Sequence, residues 1–422
     1  MHHFSIKGGA MHAEEVGLAR LAAETGTPFY CYSTATLTRH FEVFDKAFSG
    51  VPHLVCYAVK ANSNQAVLRT LVRLGAGLDV VSGGELRRAM AAGVAPQEIT
   101  FSGVGKTREE LAFAIRHGIL CFNVESEPEL ALLSELAKGT KEDARVAIRV
   151  NPDIDAKTHA KIATGKAENK FGIPIGRARE VYAQAAKLPG LKVTGLDIHI
   201  GSQITDLAPF DAAFGLIADF VRLLRADGHV IEHLDLGGGL GIPYAHWEDP
   251  ESYHPERYAG IVKERLAPLN CRLIFEPGRL IAGNAGILVT TVLFVKRGEA
   301  KTFVVVDAAM NDLVRPTLYD AHHEVLPVME RQGSGEIIAD IVGPVCETGD
   351  YFALSRSIVE PLPGDLLAIM SAGAYGAVQA GTYNSRLLVP EILVNGGQYC
   401  VVRPRGTYEE LIGLDKIPAW LS

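Results

Sequence analysis

The stretch His53-Leu54-Val55-Cys56-Tyr57-Ala58-Val59-Lys60-Ala61-Asn62 is the one whose reading decides the fold. Leu54 to Val59 are apolar or aromatic and suit a pleated, buried strand, and the strand delivers one lysine into a polar turn. Burying a lysine is costly unless it is paired or neutralised. Two readings stand at this point. The side chain can snorkel to water. Alternatively, desolvation lowers the cost of losing its proton, and the neutral amine attacks an aldehyde to form a Schiff base.

Outward from this stretch, short apolar runs recur at residues 53–59, 78–81, 99–102, 119–124, 145–150, 193–200, 233–236 and 272–275. Segments of helical length and composition lie between most of them, as at 65–74, 84–92, 108–116 and 127–138. Alternating strand and helix patterns predict parallel β-α units, and eight strand candidates predict a (β/α)8 barrel. A doubly wound open sheet is the alternative. Residues 151–172 break the rhythm, and a connection of that length is either a lid or a tolerated surface excursion. Beyond Glu276, strand-like runs at 287–295, 302–306, 336–342, 365–369 and 391–394 are separated by glycine and proline. They predict an all-β sandwich or small barrel. At the N-terminus the pattern predicts a helix over 13–25, a strand over 28–33 and a helix over 34–48.

The bulk numbers bound the function. A chain of 422 residues exceeds one ordinary core and points to two domains. A net charge of −8 disfavours nucleic acid and anionic membranes as main partners. The sequence has neither an apolar run long enough for a transmembrane helix nor a signal-peptide pattern at its start. Six scattered cysteines without a CxxC pair suggest reduced, cytoplasmic thiols. No metal site is expected, because HExxH and Cys/His clusters are absent and the adjacent pairs His2-His3 and His322-His323 would point apart on a strand.

Barrel enzymes carry their chemistry at the C-terminal ends of the strands. Lys60 sits there, as do Asp79 and Ser82, Asn123 and Glu125, and Arg149 and Asn151. So do His199 in His199-Ile200-Gly201-Ser202-Gln203, the run Gly237-Gly238-Gly239-Leu240-Gly241, and Glu276-Pro277-Gly278-Arg279. The glycine run can close its N–H groups on phosphate oxygens or simply make a tight turn. Glu276 can pair with a protonated pyridine nitrogen, and Arg279 can bind a carboxylate or phosphate; a local Glu–Arg pair is the bland alternative. Arg315 and Tyr319 are four residues apart, so a helical turn puts both on one face, where they suit a carboxylate or a cap. Cys346 is either an inert thiol or a proton donor.

The ordered set Tyr57 to Asn62, His199 to Gln203, Gly237 to Gly239, Glu276 to Arg279, Cys346-Glu347 and Gly373-Ala374-Tyr375-Gly376 resembles the diaminopimelate decarboxylases. These are barrel-type pyridoxal-phosphate decarboxylases, and the resemblance runs over essentially the whole chain. It implies an alanine-racemase/ornithine-decarboxylase-like architecture. Residues 30–280 would form the (β/α)8 barrel, and residues 1–29 with 281–422 a β domain that completes the active site. It implies decarboxylation of meso-2,6-diaminopimelate to L-lysine and carbon dioxide, the last step of lysine biosynthesis. Lys60 would hold pyridoxal 5'-phosphate as an internal aldimine, with His199 stacked on the ring and Glu276 on its nitrogen. Ser202 and Gly237, Gly238 and Gly239 would hold the phosphate, with help from Pro277, Gly278 and Arg279. Arg279, Arg315 and Tyr319 would grip the distal carboxylate of the substrate, and Glu347 its distal ammonium. Tyr375 would touch both cofactor and substrate. Cys346 would be the proton donor and, with Glu347, would come from the partner subunit of a homodimer. The chain departs from the family at residues 377–390, where Ala377-Val378-Gln379 replaces a Met-Ser-Ser-type run and Arg386-Leu387-Leu388 lacks the Arg-Pro-Arg-Pro character. Same-fold decarboxylases of ornithine, arginine or lysine are the alternative, opposed by Arg315 and Glu347. Barrel racemases are opposed by Glu276.

Overall fold

Strand β1 (His53–Ala58) opens a parallel series with β2 (Gly77–Val80), β3 (Ile99–Phe101), β4 (Cys121–Val124), β5 (Ala144–Asn151), β6 (Leu191–Asp197), β7 (His233–Asp235) and β8 (Arg272–Phe275). Each pairs with its successor, and β8 returns to β1 through Leu273↔His53, Ile274↔Leu54 and Phe275↔Val55. The eight strands therefore close into a barrel, and an open doubly wound sheet is excluded. Strands covered on both faces are largely apolar, so they read as short runs and not as alternating ones. The four residues of β2 and of β4 are all buried. The intervening helices carry their own start and stop signals. Over Arg108–His117, Thr107 and Glu110 form a reciprocal capping box, Gly118 ends the helix in the left-handed conformation, and Leu111 and Ala114 face inward.

The computed structural model describes residues 2–166, 168–331, 333 and 335–421; Met1, Ala167, Gln332, Ser334 and Ser422 lie outside the described residues. Ala167 falls within the 151–172 segment. The rest of that segment is stitched to residues 199–202. Thr164 Oγ1 donates to the His199 carbonyl (2.9 Å), Thr158 Oγ1 to that of Ser202 (2.7 Å), and the Ser202 N–H to that of Ile162 (3.1 Å).

The second sheet is built around the long strand Gly286–Arg297. Phe29–Ser33 and Leu366–Ile369 pair antiparallel with its first half, and Thr302–Val306 with its second. Glu336–Val342, Tyr351–Val359, Glu391–Asn395 and Gln398–Arg403 extend it to either side. The sheet is mixed: Thr302–Val306 runs parallel to Glu336–Val342, and Phe29–Ser33 parallel to Glu391–Asn395. Phe29, Cys31, Ile287, Val289, Ala368, Ile392 and Val394 share its core. Two of these strands were not legible. Ser355-Arg356-Ser357 interrupts the apolar alternation of Tyr351–Val359, and Gln398–Arg403 is an edge strand with no buried residue.

The chain divides into two compact units, one of Met1–Leu37, Tyr244–Trp247 and Ala282–Ser422, the other of Thr38–Pro243 and Glu248–Ile281. The break falls after residue 29 because Phe29–Ser33 is hydrogen-bonded into the second sheet. The helix expected over 13–25 covers only Leu18–Thr25. Ahead of it Phe4–Lys7, Ala10–Ala13 and Val16–Gly17 form a small antiparallel sheet. Its first turn is Gly8-Gly9, both with positive φ (59° and 79°), a two-residue hairpin signal. Among the described residues no helix is long and apolar enough to cross a membrane.

Candidate active site

In the barrel unit, β1 runs into one 3-10 turn, Val59–Ala61, which carries Lys60. The Lys60 amine donates to Asp79 Oδ2 at 2.8 Å. Asp79, on β2, is fully buried, whereas the Lys60 side chain keeps 38% of its exposure. The amine thus reaches inward to a carboxylate and does not snorkel outward. Asp79 Oδ1 is buried with no hydrogen-bond partner among the described residues.

Beside this pair the barrel interior is polar. Glu276, immediately after β8, receives three donors on Oε1: Thr100 Oγ1 (3.1 Å), Ser102 Oγ (3.3 Å) and Asn123 Nδ2 (3.2 Å). Asp235, on β7, accepts from the Gly237 N–H (3.0 Å) and from Asn123 Nδ2 (2.9 Å). Burial, then the charges of Asp235 and Asp79, push the Glu276 carboxyl well above the usual range, with Lys60 opposing. Burial likewise raises Asp197, on β6, despite Arg149. Asp235 is pushed up to about 7 by burial and by Asp197. A Glu276–Arg279 surface pair is not formed: Glu276 is buried, and the Arg279 guanidinium donates to Ser202 Oγ at 3.1 Å.

This crowding has a measurable cost. An unfolded aspartate titrates near ~3.9, so between there and about 7 the folded chain holds a proton at Asp235 that the unfolded chain has released. The stabilisation is present at low pH and is lost as pH rises through that window. Protein freed of any cofactor is expected to lose melting temperature from pH 5 to pH 8, and Asp235→Asn to lose less. Equal slopes by calorimetry would show that Asp235 does not hold this proton.

His199 follows β6. Its Nδ1 accepts the Gly238 N–H (3.2 Å), which places the ring proton on Nε2. Burial, then the nearby positive charges of Arg149 and Lys60, hold the imidazole well below its ordinary pKa, so it is neutral. Arg149 is itself paired with Glu125 (2.8 Å), whose other oxygen accepts the Gly172 N–H (2.9 Å) and so anchors the end of the 151–172 segment. The glycine run is dictated by close backbone approach. A Cβ on Gly238 would lie 2.4 Å from the Glu276 carbonyl oxygen, and one on Gly239 2.4 Å from that of Gly201. At least three of its N–H groups are already used, Gly237 on Asp235, Gly238 on His199 and Gly241 on the Ile204 carbonyl. Pro277 accepts the Ala58 N–H (3.2 Å), and Arg279 opens the short helix Arg279–Ala282 just after Gly278.

In the other unit Arg315 and Tyr319 begin and end one helix, Arg315–Tyr319. Arg315 is buried; its Nη1 donates to His323 Nε2 (2.8 Å), and its guanidinium lies over the Tyr244 ring, 4.6 Å from the centroid. His323 Nδ1 in turn donates to the Met370 carbonyl (2.7 Å), so this histidine is a neutral prop for Arg315. His322 turns the other way, onto Arg356 and Glu324. Cys346 and Glu347 are exposed on one loop, and Tyr375 is half-buried with φ +56°. The expected residues thus fall into two groups. Lys60, His199, Ser202, Gly237–Gly239 and Glu276 to Arg279 share the barrel rim, and Arg315, Tyr319, Cys346, Glu347 and Tyr375 belong to the β unit. Thr100 and the part played by Asp235 escaped notice in the sequence; Asn123 was legible as a rim residue and His323 as half of a histidine pair, but their partners Asp235, Glu276 and Arg315 were not. The one available hint was the acid just before the glycine run.

Comparison with known proteins agrees with this geometry. Residues 34–283 match the family described as pyridoxal-dependent decarboxylase, pyridoxal binding domain. The chain is 49% identical over 421 residues to the diaminopimelate decarboxylase of Zymomonas mobilis, covering 99% of each. It is 50% identical over 419 residues to that of Vibrio cholerae, again covering 99% of each. The structure of the M. jannaschii diaminopimelate decarboxylase in complex with L-lysine superposes with a TM-score of 0.93 at 36% identity, covering 100% of both chains. With a closed barrel, a lysine set on a buried acid at its mouth, and half its residues shared end to end with such enzymes, this chain belongs to the diaminopimelate decarboxylases, a family of pyridoxal-dependent carboxy-lyases.

Proposed function

We propose that this protein removes one carboxylate from meso-2,6-diaminopimelate, giving L-lysine and carbon dioxide, with pyridoxal 5'-phosphate as cofactor. The observation that carries the reading is the barrel rim, where Lys60 meets Asp79 beside the buried acid Glu276 and the neutral His199. These residues fit the cofactor. Buried acids outnumber cations there, and Asp79 Oδ1 lacks a partner among the described residues, so a cationic ring nitrogen suits the cluster. Lys60 would hold the aldehyde carbon through its amine, and Glu276 the ring nitrogen. The flat, uncharged His199 would cover the ring face. Ser202, Arg279, the Gly237-Gly238-Gly239 run and Gly278 would take the phosphate; the Gly237 and Gly238 N–H groups also bond Asp235 and His199.

The chemistry supplied by bound pyridoxal phosphate is that of an electron sink for the pair released when the Cα–carboxylate bond breaks. The chain's own residues do the rest. Glu276 keeps the ring nitrogen protonated, and Thr100, Ser102 and Asn123 fix its carboxylate in place. Arg315, propped by His323, takes the distal carboxylate of the substrate together with Tyr319 and Arg279, and Glu347 takes the distal ammonium. Tyr375 would contact cofactor and substrate. The Cys346 thiol hands a proton to the α-carbon. In this reading it would be delivered into the site of a second subunit of a homodimer, which its exposure supports. Six free thiols suit a cytoplasmic setting.

Carbon dioxide release from meso-diaminopimelate, L-ornithine and L-lysine, measured side by side with added cofactor, tests the reading. We expect a preference of roughly 10⁴-fold for meso-diaminopimelate, because a shorter or simpler amine leaves the carboxylate clamp unpaired. A preference for either simple diamine precursor would overturn it.

A further inference from the structure

We propose that Asn384 is a positioning residue for the proton-delivering thiol, fixing the backbone of Cys346 through its side-chain oxygen. The inference rests on the reading of Cys346 as proton donor. Its basis is a set of hydrogen bonds confined to one cluster of loops. Asn384 Oδ1 accepts the Cys346 N–H at 3.2 Å. One residue earlier, the Val345 N–H donates to the buried carboxylate of Asp350 (Oδ2, 2.6 Å). Asp350 Oδ1 also accepts the Met310 N–H (2.6 Å), and its carbonyl accepts the Gly343 N–H (3.1 Å). Thr317 Oγ1, on the Arg315–Tyr319 helix, donates to the Gly349 carbonyl (2.5 Å). The loop is thus closed from within by Asp350 and tied to the Arg315–Tyr319 helix by Thr317. At Cys346 itself, the backbone donor is held from outside by Asn384.

The side chain of Cys346 is exposed, so burial does not set its direction. The backbone does: Asn384 holds the N–H of the Val345–Cys346 peptide and the Glu347 N–H (2.8 Å) holds its carbonyl, and the second bond closes a three-residue turn centred on Cys346, which together set the Cα–Cβ vector. Asn384 is built to stay in place. It sits in the 3-10 turn Tyr383–Ser385 with φ +55°, a left-handed conformation that asparagine tolerates better than most side chains. The turn is clamped by Asn311, a buried residue whose Nδ2 donates to the carbonyls of Tyr383 (2.7 Å) and Gly381 (3.3 Å). Asn311 neighbours Met310, the residue held by Asp350. The thiol loop and the 381–385 turn are therefore referenced to the same two residues. Proton transfer requires the donor within hydrogen-bond reach of the carbon it serves, and a misplacement of about 1 Å can cost roughly 10²-fold.

The test is a double-mutant cycle on the full-length enzyme carrying cofactor, assayed with meso-diaminopimelate. Asn384→Ala is expected to lower kcat by about 10- to 100-fold with KM changed less than about threefold. Deuterium exchange at the Cys346 amide should quicken in the same variant. Asn384→Asp keeps the acceptor oxygen and is expected to recover most of kcat. In a Cys346→Ala background, Asn384→Ala should add little, since residues acting through one group are non-additive. If Asn384→Ala yields no folded enzyme, Asn384→Ser, too short to reach the amide, takes its place. Turnover unchanged in Cys346→Ala would remove the proton-donor reading and this inference with it. A crippled Cys346→Ala beside an unaffected Asn384→Ala, or full additivity of the two, would overturn the inference alone.

Discussion

Lys60→Ala is expected to abolish the visible absorbance of the bound cofactor and turnover together, the latter by at least about 10³-fold, as loss of a covalent nucleophile does. The barrel should survive. The Lys60 side chain is 38% exposed and adds little to the core, so the loss of fold is limited to what happens at Asp79. There the cost is real: Asp79 is fully buried, and removing its 2.8 Å partner leaves a carboxylate without its cation, a change worth roughly 3–5 kcal/mol when the acid cannot relax. Neighbouring acids already crowd this end of the barrel, so the variant is expected to melt at a lower temperature than the parent. Lys60→Arg separates the two roles. Its guanidinium restores a charge to Asp79 but stays protonated and cannot act as an amine nucleophile. Thermal stability should return while absorbance and activity stay lost. Retained turnover in Lys60→Ala would disprove the covalent role, whatever the stability of either variant.

The contrast between these variants shows where sequence alone was sufficient. That a strand ends at Lys60 followed from the apolar run before it, and the other barrel strands were legible for the same reason. A strand buried on both faces carries few polar residues, and several were followed by a helix with a cap of its own. The rim residues were legible because polar groups at the ends of such runs have no structural excuse. What could not be read is who faces whom across the barrel. Asn123 on β4 reaches Asp235 on β7 and Glu276 after β8, separations of 112 and 153 residues. No local pattern encodes such pairings; they exist only after closure. The same holds for His323, which reads as half of an adjacent histidine pair until Arg315 is seen to rest on it. The N-terminal sheet escaped for a different reason. Its strands span only two to four residues, too few for a period to show, and only Gly8-Gly9 marked the turn. Cys346 and Asn384 lie 38 residues apart on irregular loops, where periodicity carries no information.

Arg315→Ala is expected to erase most of the preference for a substrate with a second carboxylate. The side chain is buried, its Nη1 is held by a neutral His323, and its plane is backed by Tyr244, so its orientation is set before any substrate arrives. Preorganisation of this kind means that little side-chain entropy is lost on binding, and the full charge-assisted interaction is available to the carboxylate. Truncating one partner of such a pair costs about 2–5 kcal/mol, which is roughly 30- to several-thousand-fold in kcat/KM for meso-diaminopimelate. An amino acid without the distal carboxylate never used the contact and should be affected by less than about threefold. The props should matter in proportion. His323→Ala leaves the guanidinium in place but frees one edge of it, so a smaller loss is expected, about 10-fold, appearing mainly in KM as the interaction is made equally in ground and transition states. His323→Gln, which can still accept from Nη1, should recover part of it. The measurement is kcat/KM for meso-diaminopimelate and for L-lysine across the three variants. Uniform losses on both substrates would assign Arg315 to the fold of its unit and not to recognition. A loss confined to the dicarboxylate, graded from Arg315→Ala to His323→Ala to His323→Gln, is what a propped clamp requires.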